Sequence, residues 1–454
     1  MDQEVVGAPV TGLVDEPEIH LEAALSWTAR RRARHAVGGS SPEAGARGSS
    51  PGRRRRMARL LAWPALVLLV AAGASIQLLR PLPKPVTHMT LGRPSNVPGH
   101  PAPIPWPAQG EGAVEVPALG LVLASAAEQP VPIASLTKVM TAYIVLRDHP
   151  LSPASQGPGV TLSVSDQNEA EAEEVANDAN VPVQAGEVLS ERQLLDGLLV
   201  HSADNLADVL ANWDAGSLAE FVSKMNEVAG QLAMTTTHYV DASGLDPRSV
   251  STAADQLRLA AVAMRNPTFA AVVAQPSISL PIAGLMTNYV RQIGTDGIVG
   301  VKSGFTQAAM GCLVLAAQRE VGGKEVTVMA AVTGQQGPDP LDAAADATVP
   351  LIDAAAASLR EVSVLTAGTR VARVVVPWSS DEVQGAVASS VVALVWPGQK
   401  IRFSTRTLPV RQGAPKGTTL GYVTVSAGAV RVRVPVRSEG KLPTASVAWR
   451  LENF

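Results

Sequence analysis

The chain has a single cysteine, Cys312, in 454 residues, so no disulfide can form within it. Cys312 lies in the apolar run Met310 to Leu315 and reads as a small buried hydrophobe, not a nucleophile. Aromatic residues are scarce, at 4%, so the core must be filled by Val, Leu and Ala. The seven histidines are scattered without metal-ligand spacing. No His-Glu-x-x-His, phosphate loop or dinucleotide fingerprint occurs, so neither a metal nor an organic cofactor is implied. The formal net charge of −3 argues against a nucleic-acid partner. What the sequence does have is apolar residues, 46%, with 38 Gly and 34 Pro. That composition allows a large core without staples, cut by many turns, in a chain long enough for two or three domains.

Five segments are expected. Residues 1–56 are polar and carry two arginine clusters, and they read as a disordered cytoplasmic arm. Residues 57–80 read as a transmembrane anchor around the uncharged run 60–79, close to the ~20 residues that span a bilayer. The arginines ahead of it keep the N-terminus in the cytoplasm and place the remainder outside. A cleaved signal peptide competes, because Ala72-Gly73-Ala74 resembles a cleavage site, but its n-region would be unusually long. Nine prolines make 81–110 an extended, semi-rigid linker.

In 111–361 the patterns predict a hairpin at 113–125 and helices at 135–148, 166–176, 218–232, 253–265 and 341–360. A helical pair at 189–213 breaks around His201-Ser202, and strands fall at 298–302, 312–318 and 326–332. Residues 362–454 alternate short Val- and Arg-rich runs with turns. They predict a small all-β accessory domain, with strands at 370–376, 391–395, 401–405, 419–425, 430–436 and 446–450.

Three clusters could carry chemistry. Ser135-Leu136-Thr137-Lys138 opens an apolar helix, and positions i and i+3 share a face, so Lys138 can reach the Ser135 hydroxyl. The same spacing recurs at Ser438 to Lys441, but in a plain turn. His201-Ser202-Ala203-Asp204-Asn205 occupies the break between two helices; adjacent His and Ser rarely pair, so Ser202 there reads as a cap and Asp204 as a first-turn acid. Lys302-Ser303-Gly304 ends an apolar strand and offers a cation, a hydroxyl and a backbone that a substrate can approach closely.

In this order the clusters resemble the penicillin-recognising serine enzymes, above all the D-alanyl-D-alanine carboxypeptidase family of low-molecular-mass penicillin-binding proteins. The resemblance covers about 111–360. It extends to Ile133 to Ala142, Asp241 to Asp246 with Ser251 to Asp255, and Gly300 to Thr306 with Ala308 to Leu313. It implies an α+β, β-lactamase/transpeptidase-like domain with a central antiparallel sheet and helices on both faces. That domain would follow one transmembrane helix and precede the small β domain.

The resemblance implies Ser135 as nucleophile, Lys138 as its base and Ser202 as proton relay. It also implies Lys302 and Ser303 at the substrate carboxylate, with Gly304 beside them, and the N–H groups of Ser135 and Phe305 as the oxyanion hole. The substrate would be peptidoglycan peptides, and β-lactams would acylate the same serine. Where the family has Asn two residues after the loop serine, this chain has Asp204 followed by Asn205, so either could occupy that place. A β-lactamase, a D,D-endopeptidase and a non-catalytic wall-binding scaffold remain as alternatives.

Overall fold

The computed structural model describes residues 51–91, 95–125, 129–428 and 430–453. Of the arm expected at 1–56, residues 1–50 lie outside these residues. A division between two units falls between Ala74 and Ser75. Helix α1 (Pro51–Leu79) makes up the described part of the first and ends in the second. Its backbone is already helical at Pro51, ahead of the expected start at 57. Within it, Ala62–Leu79 is apolar, unburied and long enough to cross a membrane.

The proline-rich segment, expected as an extended, semi-rigid linker, also pairs with other strands. It contributes β1 (Val86–Met89) and β2 (Ser95–Asn96) to a sheet made mostly by the C-terminal residues. Prolines hold the backbone extended, and the intervals between them keep N–H and C=O groups that pair readily with an open strand edge.

The central domain opens with the predicted hairpin, β3 (Glu111–Val116) and β4 (Leu121–Ala124), joined by a 3₁₀ turn closed by Gly120 at φ 59°. The helical part follows: α2 (Thr137–Asp148), α3 (Val164–Ala176), α4 (Glu191–Val200), α5 (Asp204–Ala215), α6 (Leu218–Gln231), α7 (Ala253–Ala263) and α8 (Pro267–Val273). Ser163, Ser190, Ser217 and Thr252 cap α3, α4, α6 and α7 by accepting a first-turn N–H. Long strands β5 (Ile298–Thr306), β6 (Met310–Val321) and β7 (Lys324–Gln335) then complete an antiparallel sheet of order β5-β6-β7-β3-β4, and α9 (Pro340–Ser358) closes the domain.

The sheet divides two cores. Leu351, Ile352 and Ala355 of α9 pack on Leu315, Val328 and Val332 on one face. Val139, Met140, Leu206, Leu257 and Phe269 pack on Val301, Val314 and Ala331 on the other. Small and branched residues fill both, as the shortage of aromatics requires. Cys312 is fully buried, and burial pushes its thiol up to about 12.

Seven further strands follow α9: β8 (Arg360–Leu365), β9 (Arg370–Val375), β10 (Val383–Val387), β11 (Val391–Val395), β12 (Lys400–Thr407), β13 (Thr419–Ala427) and β14 (Val430–Ser438). They form a seven-stranded sheet, β1-β9-β10-β14-β13-β12-β2, and a pair, β8-β11, around a Val-rich core. The strand expected at 446–450 is instead helix α10 (Val447–Glu452), because the Ser446 hydroxyl accepts the Trp449 N–H at 3.1 Å and starts a turn.

Candidate active site

Ser135 sits in a 3₁₀ turn, Ala134–Leu136, that leads into α2. Ala134 holds φ 48°, a left-handed conformation uncommon for a residue with a Cβ. Two glycines make room for this turn. A Cβ on Gly244, itself at φ +90°, would lie 1.9 Å from the Ala134 carbonyl oxygen. A Cβ on Gly304, across the cleft on β5, would lie 2.8 Å from the Ser135 nitrogen. The loop strand and the nucleophile turn therefore touch backbone to backbone.

Lys138 is one turn further along α2 and has no exposed surface. Its Nζ donates to Ser135 Oγ at 3.1 Å, to the Ser243 carbonyl at 2.9 Å and to Asp204 Oδ1. All three ammonium hydrogens thus have acceptors. The Ser243 carbonyl is set by a loop wound around Asp241, whose Oδ2 accepts from the N–H groups of Gly244 (2.8 Å) and Asp246 (3.1 Å). The sequence signal was the segment Asp241 to Asp246; its role, to carry Ser243 and Gly244 under the nucleophile, appears only in three dimensions.

Between α4 and α5, Ser202 is buried at φ 64° and faces the cleft. Asp204 and Asn205 part company here. Asp204 lines the cleft and pairs with Lys138. Asn205 turns away: its amide accepts from the Val181 N–H at 3.1 Å and donates to the Val181 carbonyl at 2.9 Å. Asn205 therefore fixes a neighbouring loop and makes no cleft contact. Burial pushes Asp204 upward, opposed by the Lys138 charge. Glu173 on α3 accepts the Asn205 N–H at 2.9 Å, and burial, then the Asp204 charge, raise its carboxyl to about 8. His201 does not join Ser202: its Nδ1 lies 3.2 Å from the Thr287 carbonyl and its ring stacks on Tyr289.

On β5, Ser303 lines the cleft, and Lys302 pairs with Val314 on the sheet face that carries the helical part, beside the site. The Lys302 ammonium is wholly buried and donates to the Ser303 carbonyl at 2.9 Å. Burial, then the like charge of Lys138, holds it well below the usual lysine range. The cleft, about 560 Å³, is lined by Ser135, Ser202, Asp204, Ser303, Gly304 and half-exposed Phe305, with Leu245, Tyr289 and Leu341 among its walls. Tyr289 and Leu341 carried no sequence signal, whereas Leu245 lies in the segment Asp241 to Asp246. The second Ser-x-x-Lys is structural: Ser438 Oγ accepts from the Thr418 N–H at 3.1 Å and donates to the Pro415 carbonyl at 3.2 Å.

Residues 116–336 match the family model for Peptidase_S11, D-alanyl-D-alanine carboxypeptidase. The chain is 34% identical over 223 residues to D-alanyl-D-alanine carboxypeptidase DacB2 of Mycobacterium tuberculosis, covering 47% of this chain and 72% of that protein. It is 31% identical over 193 residues to a D-alanyl-D-alanine endopeptidase of Pseudomonas aeruginosa, covering 41% of this chain and 59% of the relative. In fold it is similar to the peptidoglycan synthesis regulatory factor PBP3 from Streptococcus pneumoniae, with a TM-score of 0.55 at 20% identity, over 74% of this chain and 99% of that one. The D-alanyl-D-alanine carboxypeptidase DacD from Francisella tularensis gives 0.54 at 19%, over 77% and 97%.

The fold is thus that of the penicillin-recognising D,D-peptidases, with the central sheet between helices and a β-rich second part. The chain belongs to the D-alanyl-D-alanine carboxypeptidase family and is a serine-type peptidase.

Proposed function

We propose that the chain removes the terminal D-alanine of peptidoglycan stem peptides through an acyl-enzyme on Ser135, and that β-lactams acylate the same oxygen. One observation carries this reading: the Lys138 ammonium, fully buried, lies 3.1 Å from Ser135 Oγ at the floor of a cleft that also presents Ser202 and Ser303. Lys138 and Asp204 form a buried pair that shares one proton. Burial raises the carboxyl, so Asp204 can hold that proton while Nζ receives the one leaving Ser135. Such base assistance contributes about 10²–10⁴-fold.

As Oγ attacks the carbonyl of the penultimate D-Ala, the backbone N–H groups of Ser135 and Phe305 take up the developing negative charge; one such donor is typically worth about 10²–10³ in rate. Ser202 passes the proton to the departing D-Ala amine. Water then hydrolyses the ester. Ser303 and the adjoining β5 backbone receive the substrate carboxylate, with Lys302 buried next to them on the side of the nucleophile. Residues 57–80 anchor the chain with the N-terminus inside, 111–361 carry catalysis outside, and 362–454 form the accessory domain. No metal or organic cofactor enters the scheme.

The test is release of D-Ala from a soluble pentapeptide. Wild type should release it, and Ser135→Ala should fall to background. Equal release by both would remove Ser135 from the mechanism. Relatives that carry the name endopeptidase, at 30–32% identity, favour a second reading in which the same serine opens D,D cross-links. Comparing turnover of a cross-linked dimer with that of the pentapeptide separates the two.

A further inference from the structure

Charge is unevenly distributed along the chain. Residues 362–454 hold twelve Lys and Arg against four Asp and Glu, although the whole chain is net negative at −3. Much of the excess lies on one face of the accessory sheet. On β12, Arg402, Ser404 and Arg406 alternate with Ile401 and Phe403 of the core; on β13, Tyr422, Thr424 and Ser426 alternate with buried Val423 and Val425. The register aligns these with β14 in rows. Arg402 is beside Ser426 and Ser426 beside Arg431; Ser404 is beside Thr424 and Thr424 beside Arg433; Arg406 is beside Tyr422.

Arg402, Arg406, Arg431 and Arg433 are all exposed, and among the described residues none makes an ion pair. In the same domain, by contrast, Arg370 and Arg373 are paired with Glu439 and Glu382. The Arg433 guanidinium carbon lies 3.6 Å from the centroid of the Tyr422 ring, which keeps the side chain over the sheet. Arg406, Arg431, Arg433, Ser404, Thr405 and Thr424 line a hollow of about 470 Å³. Four like charges on one face repel one another, and an anion seated between them reverses the sign.

We propose that this face binds a linear, phosphate-bearing polyanion lying along β12–β14. Guanidinium forks match phosphate oxygens in pairs, and the serine and threonine hydroxyls can donate to the oxygens left over. From Arg402 to Arg406 the strand advances about 13 Å at ~3.3 Å per residue, longer than one phosphate, which favours a polymer over a single ion. A bilayer surface also presents closely spaced phosphates, and competition by a soluble phospholipid separates the two.

The full chain in detergent is titrated against end-labelled inorganic polyphosphate, with polyglutamate of matched charge and dihexanoyl phosphatidylglycerol as competitors. Polyphosphate should bind, with affinity falling about 10³–10⁴-fold per tenfold rise in salt as roughly four charges are neutralised. Arg431→Glu with Arg433→Glu should weaken binding at least tenfold while D-Ala release from a soluble pentapeptide stays unchanged, which shows that the variant folds. Equal binding by variant and wild type overturns the proposal. So does displacement by phosphatidylglycerol at equal phosphate concentration, which transfers the site to membrane lipid, or equal binding of polyglutamate, which removes the phosphate assignment.

Discussion

Asp204 is the residue on which the chemistry turns. An asparagine in its place could donate to a substrate; the carboxylate instead accepts from the Lys138 ammonium and is pushed upward by burial. Asp204→Asn takes away the carboxylate that accepts from Nζ and that burial raises. The pH profile for β-lactam acylation should therefore change shape in the variant. An unchanged profile would show that Asp204 takes no part in the proton transfer. Gly304 is the second sensitive position. A methyl there meets the Ser135 nitrogen at 2.8 Å, so Gly304→Ala should cut the acylation rate by at least about 10²-fold while the protein stays folded. The stopped-flow acylation rate beside a thermal melt checks both halves of that statement.

Among the elements, α4 shows how a buried acid tunes stability. Glu191 opens the helix, is buried, and is raised to about 7 by burial alone. The unfolded carboxyl ionises near 4.5, whereas the folded one keeps its proton to about 7. The unfolded chain therefore sheds its proton first, and the fold weakens as pH rises between those values. Glu191→Gln should be more stable than wild type by on the order of 2 kcal/mol at pH 8, with the gap narrowing toward pH 5 in urea titrations. A gap independent of pH would contradict this.

The same scale shows what was legible in the sequence. Helices with a clear apolar face and a capping Ser or Thr, such as α6 and α7, and strands with strict alternation, such as β13, lie close to their predicted places. β10 was missed because Gln384-Gly385 interrupts its apolar run, and α10 because its capping serine outweighs a weak alternation. Ser135, Ser202 and Lys302 could be found through local motifs. That Asn205 serves Val181 while Asp204 serves Lys138 depends on contacts between distant segments that no local pattern encodes.

At the scale of the molecule, the segment between the apolar helix and the catalytic part is built into the accessory sheet and does not swing freely. β1 pairs with β9 from Val86 to Met89, and the Thr90 N–H continues to the Val371 carbonyl at 2.8 Å. Thr90→Pro deletes that donor and should lower the stability of the accessory domain by roughly 1–3 kcal/mol, seen as an earlier unfolding transition, with catalysis intact. The central claim is the acyl-enzyme on Ser135, and covalent labelling of the full chain with a fluorescent penicillin, followed by peptide mass mapping, tests it most directly. The geometry predicts one adduct, on the peptide containing Ser135, and none in Ser135→Ala; labelling of the variant at the wild-type rate, or an adduct on any other residue, would contradict it.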